Sequence, residues 1–143
     1  MRALLDVNVL IALLDASHIH HARAREWLMA EISHGWASCP LTQNGCVRIL
    51  SHARYPGGAS SPGLITARLR QATETRWHEA WADDISLLDA NRFDWRHILG
   101  SRQLTDAYLL ALATHHHGRL VSFDRAISKN AVIGATDRHL III

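Results

Sequence analysis

Short apolar runs alternate along the chain with longer stretches in which apolar positions recur every three or four residues. Residues 3–6 read as a brief buried strand and residues 9–14 as the helix after it, with a turn at Asp15-Ala16-Ser17. From about residue 20 to 32, Ala24, Trp27, Leu28 and Ile32 keep helical spacing and predict a one-faced helix. Residues 36–39 form a second strand that Pro40 ends. Thr42 is placed to cap the following helix, whose buried side takes Val47, Ile49 and Leu50.

The Gly, Pro and Ser residues across 55–63 mark the clearest loop. Beyond it the pattern predicts a helix over 64–80, carrying Arg68, Arg70 and Arg76, and a third strand at 85–88. The strongest helix spans 102–117, where Leu104, Ala107, Tyr108, Ala111, Leu112 and His115 share a side. Strands at 119–123 and 139–143 complete the chain. Strands that alternate with helices need crossover connections, hence an α/β fold with a mostly parallel sheet flanked by helices. With 143 residues and no linker or repeat, a single domain over 1–143 is expected.

Composition narrows this little. The hydrophobic share of 48% and the formal charge of +2 are those of an ordinary globular protein. Lys129 is the only lysine among fifteen Lys and Arg. Arginine forks suit phosphate and base stacking, although codon bias explains the excess as well. Cys39 and Cys46 have neither redox nor zinc spacing, and no run approaches the ~20 apolar residues of a membrane span. A cytoplasmic location with reduced thiols is expected.

The chemistry sits in four short motifs: Leu4-Leu5-Asp6-Val7-Asn8, Leu41-Thr42-Gln43-Asn44, Leu104-Thr105-Asp106-Ala107 and Leu120-Val121-Ser122-Phe123-Asp124. Ligands of parallel sheets bind outside the carboxyl ends of the strands. Asp6 closes the first strand, Asp124 lies just past the fourth, and Asp106 sits in the first turns of a helix. Each alone would pass for a helix cap or an exposed turn. Together, carboxylates gathered at one edge repel one another unless a hard cation such as Mg²⁺ or Mn²⁺ joins them. Such a centre orients water for in-line attack on a phosphodiester. Asn8 and Ser122 would steady a carboxylate or a water, and Gln43 would offer only a carbonyl oxygen. Arg119, Arg125 and Lys129, flanking Asp124, are candidates for holding RNA phosphates.

Taken in order, these motifs resemble those of the PIN-domain nucleases, and among them the VapC-type toxins of bacterial toxin–antitoxin pairs. Further matching stretches are His18-Ile19-His20-His21 leading into Trp27, Pro40-Leu41-Thr42-Gln43-Asn44-Gly45 leading into Arg48, and Leu104 through Ala113. The resemblance implies a PIN-like three-layer fold and a metal-dependent endoribonuclease that inhibits translation. It also implies a cognate VapB-like antitoxin and a toxin homodimer. Asp6, Asp106 and Asp124 correspond to family acids, and Gln43 falls where the family commonly has Glu. That substitution leaves one rival expectation, a binding module that has lost turnover; a second rival is a nuclease acting on single-stranded or flap DNA, since the same acids can serve either backbone. A phospho-acceptor role ranks low, because Lys129 alone would have to serve it.

Two groups are expected to be structural. His18, His20 and His21 straddle a helix start, and His115-His116-His117 point in different directions around a helix end. Trp27 and Trp36 are expected in the core. Trp77 and Trp81, four apart on one helix face, would form a partner or dimer face.

Overall fold

Along the central strands residues on both faces are buried, so the sheet must be covered twice. Leu4, Ala37 and Leu120 join one core cluster, whereas Ala3, Leu5, Trp36 and Val121 join the other. Burying each large side chain contributes about 1.5–3 kcal/mol. The structure, a computed structural model, describes residues 1–143. Its strands are β1 (Ala3–Leu5), β2 (Trp36–Ser38), β3 (His78–Ala80), β4 (Arg119–Ser122) and β5 (Leu140–Ile142). Its helices are α1 (Val7–Leu14), α2 (His21–Glu31), α3 (Pro40–Leu50), α4 (Pro62–Thr73) and α5 (Leu104–His115).

Every strand pair is parallel, in the order β3-β2-β1-β4-β5. Residues of α5 supply six of the fourteen buried residues of the first core cluster, and residues of α1, α3 and α4 contribute to the second, which gives three layers. From β1 the chain moves outward through β2 to β3, then returns across to β4 on the other side of β1. The order therefore reverses between β1 and β4, and the crevice outside their carboxyl ends is where a doubly wound sheet binds ligand. The register sets Leu4 beside Leu120 and Leu5 beside Val121. No helix is long and apolar enough to cross a membrane.

Two expected elements shift. The third strand is β3, not residues 85–88, and α4 stops at Thr73, not at residue 80. The Trp36 amide donates to the Trp77 carbonyl at 2.8 Å, and the same carbonyl accepts from the Arg2 guanidinium at 2.8 Å. Backbone pairing with β2 thus claims the segment that side-chain spacing assigns to a helix. Residues 85–88 form no strand; Ile85 and Leu87 pack on the core while Leu88 lies exposed. Thr42 caps from inside α3, not ahead of it. Cys39 is the N-cap residue, and its amide donates to Thr42 Oγ1 at 3.0 Å.

Candidate active site

Asp6 begins where β1 ends. Its extended backbone (φ −61°, ψ 157°) makes it the N-cap of α1, and Oδ1 accepts from the Val7 amide at 2.7 Å. Ser122, at the end of neighbouring β4, donates its hydroxyl to Oδ2 of Asp6 at 2.6 Å. The Ser122 oxygen accepts in turn from Asn8 Nδ2 and from the Asp124 amide, each at 3.0 Å. One donor and two lone pairs are all a serine hydroxyl has, so Ser122 is fully used in tying both strand ends together. Burial raises the Asp6 carboxyl, against the lowering effect of Ser122 and the Val7 amide; Asp124 raises it further. Only 5% of Asp6 is exposed.

Asp106 enters from the other layer, in the first turn of α5. Burial, then the charges of Asp6 and Asp124, push its carboxyl up to about 6. Asp6, Asn8, Asn44, Arg48, Thr105 and Asp106 line a cleft of about 340 Å³. On its far side Asp106 and Asp124 share a second hollow of about 260 Å³ with His97 and Arg102. None of the three aspartates has an ion-pair partner, although Asp84, Asp89, Asp94 and Asp137 all have one. Unpaired carboxylates that raise one another's pKa, with carboxamides beside them, form an oxygen-rich donor set suited to a hard divalent cation. No three acidic, His or Cys side chains close into a ready ligand cage, so water would have to complete the coordination.

Comparison with known proteins agrees with this geometry. Residues 3–133 match the PIN domain. The chain belongs to the PIN-domain family.

Among curated relatives, Ribonuclease VapC44 of Mycobacterium tuberculosis is 53% identical over 140 residues, 98% of each chain. Ribonuclease VapC39 of the same organism is 40% identical over 137 residues, 96% of this chain and 99% of its own. Ribonuclease VapC38 is 46% identical over 127 residues, 87% and 86% of the two chains. The likeness to VapC-type PIN domains thus extends over nearly the whole sequence.

The other candidate residues divide within this PIN domain into those near the aspartates and those elsewhere. Gln43 does not line the cleft that holds Asp6 and Asp106; Asn44 and Arg48, one helical turn apart on α3, do. Gln43 faces the neighbouring groove toward α4, and its Nε2 donates to Ser38 Oγ at 2.9 Å. Arg119 begins β4, at the opposite end of that strand from Ser122, and pairs with Glu31 at 2.5 Å while lying over the Trp27 ring. Its side chain is committed there and is not free for a phosphate beside Asp124. Arg125 is exposed next to Asp124, and Lys129 is ion-paired with Asp137.

Trp81 is no partner surface: it is buried and stacks on His116 with ring centroids 4.5 Å apart. Trp77 lies in the turn before β3, under the Arg76 guanidinium. The histidines serve the fold. His21 Nδ1 meets the Ala12 carbonyl at 2.7 Å, His20 stacks on Phe123, and His116 meets Asp84. Sequence reasoning missed Asn44, Arg102 and His97 as cleft residues, and gave Arg48 no role there. Only the i, i+4 spacing of Asn44 and Arg48 hinted at their shared face.

Proposed function

We propose that this chain is a VapC-type endoribonuclease toxin that uses Mg²⁺ or Mn²⁺, acts in the cytoplasm and is restrained by a VapB-like antitoxin. The observation that carries the reading is the buried Asp6, fixed by Ser122 and the start of α1, facing Asp106 and Asp124 with no cation paired to any of them. The names and coverage of the VapC relatives support RNA as the substrate.

Asp6, Asp106 and Asp124 would hold the ion, with the Asn44 carboxamide at the cleft wall. When bound, the ion polarises the phosphodiester and lowers the pKa of the attacking water. Ser122 and Asn8 keep the Asp6 carboxylate in one orientation, so its charge is in place before substrate arrives. Arg48 on one side and Arg102 on the other would clamp the non-bridging phosphate oxygens and set the scissile bond in line. A homodimer fits the family pattern.

The binding-module alternative needs Gln43 to stand in the acid ring. That Gln43 lines the adjoining groove and not this cleft favours a centre whose charge rests on the three aspartates. To separate RNA from DNA chemistry, matched single-stranded RNA and DNA of one sequence are incubated with the protein and Mn²⁺. The reading expects RNA fragments alone; equal cutting of the DNA would replace it with a general single-strand nuclease.

A further inference from the structure

Resting on the ribonuclease reading above, we propose that Gln43 reads an adenine of the bound RNA in the groove between α3 and α4, beside the carboxylate cleft. The groove has a volume of about 690 Å³, and no acidic side chain lines it. Its polar wall is made by Gln43, Asn44, Arg48 and Arg70. Neither Arg48 nor Arg70 takes part in any ion pair. Two guanidiniums with no ion-pair partner, in a groove lined by no acid, form a surface for a polyanion. Asn44 and Arg48 line both this groove and the cleft of Asp6 and Asp106, so the two are continuous. A strand whose phosphate is held at the aspartates therefore runs on into the groove.

Gln43 is held rigidly there. Its Nε2 donates to Ser38 Oγ at 2.9 Å, and Ser38 Oγ lies 2.9 Å from His78 Nε2. When the Ser38 hydroxyl hydrogen is given to His78, the ring proton of His78 sits on Nδ1. Burial lowers the His78 pKa, which keeps that acceptor nitrogen neutral. The bond from Nε2 to Ser38 anchors one edge of the Gln43 amide. It leaves one N–H and the carbonyl oxygen unused, a donor and an acceptor side by side. Glutamine in that state pairs in bidentate fashion with adenine through N6 and N7. Val47 and Leu69 give the groove an apolar wall for the face of the base.

The test is cut-site mapping on a randomised single-stranded RNA library with Mg²⁺, for wild type, Gln43→Ala and Gln43→Glu. Thermal melting of each variant confirms that it is folded. Wild type is expected to enrich adenine at one position near the cut. Gln43→Ala should lower that enrichment about tenfold while cleavage of the library continues. Gln43→Glu should move the preference toward guanine, whose N1–H and N2 amino donors suit two carboxylate oxygens. Active Gln43→Ala with an unchanged base profile, or a wild type without adenine preference, would overturn the assignment and leave the ribonuclease reading standing. A wild type that cuts no RNA would overturn the ribonuclease reading and this one with it.

Discussion

Ser122 donates to Asp6 across 2.6 Å although 116 positions separate them in the chain. The bond joins the ends of two adjacent parallel strands at the point where the sheet order reverses, and it fixes the most buried acid of the cleft. Ser122→Ala removes it, along with the acceptor for Asn8 and the Asp124 amide. Metal affinity and cleavage rate should each fall about 10–100-fold, the usual cost of losing a supporting hydrogen bond. Calorimetric titration with Mn²⁺ beside a cleavage assay checks this; unchanged affinity would remove the positioning role.

The cleft is assembled at the expense of stability, and the sign can be followed through Asp106. Its carboxyl stands near 6 when folded against an ordinary 3.8. Below the lower value both states are protonated and the group costs nothing. As pH rises through about 6 the folded state must ionise it against burial, Asp6 and Asp124, and stability is lost. Asp106→Asn escapes this. Without metal it should melt higher than wild type at about pH 8, by about 1–2 kcal/mol after solvent screening of a half-exposed group, and no higher at about pH 4. Saturating Mn²⁺ should stabilise wild type more than the variant. A variant that melts below wild type at about pH 8 in a chelator would contradict the account.

Arg119 and Arg125 should separate cleanly. Arg119 is largely covered, bonded to Glu31 and stacked over Trp27. Arg119→Ala should lower the melting temperature by a few degrees and leave the salt dependence of RNA binding unchanged. Arg125, exposed beside Asp124, should behave oppositely: its Ala variant melts normally and shows a flatter salt slope. Fluorescence anisotropy of a labelled RNA across a salt series, with melting curves, decides between them.

Gly45 sets how closely α3 approaches α1. A Cβ there would lie 2.8 Å from Val7 Cγ2, closer than packed atoms allow. Val7 follows Asp6 directly and its amide bonds that carboxylate. Gly45→Ala should therefore lower both stability and cleavage, the second by shifting Asp6. A variant with normal melting and normal rate would show that the helices part freely.

Much of this is legible in the sequence, and the exceptions have physical causes. Four of the five strands and the helix carrying Asp106 follow from apolar periodicity, and the sheet-edge rule directs attention to Asp6, Asp106 and Asp124. Strand β3 is an edge strand of His78, Glu79 and Ala80, partly or fully exposed, so no alternation betrays it. What defines it is the Trp77 carbonyl paired to Trp36, a backbone event. The sequence pattern misplaces Gln43 because each helical residue turns about 100°, so its neighbour Asn44 looks into a different cavity. Arg119 is near Asp124 in number, but it sits at the far end of β4, whose extended run to Ser122 carries it roughly 10 Å away.

The most direct test of the three-aspartate centre is cleavage of total bacterial RNA with Mg²⁺, Mn²⁺ or EDTA, beside an Asp6→Ala control shown to be folded. Discrete fragments with either ion, absent with EDTA and absent in the control, are the predicted result. Fragments that persist in EDTA or in Asp6→Ala would contradict it, as would a folded wild type that leaves the RNA intact with both ions.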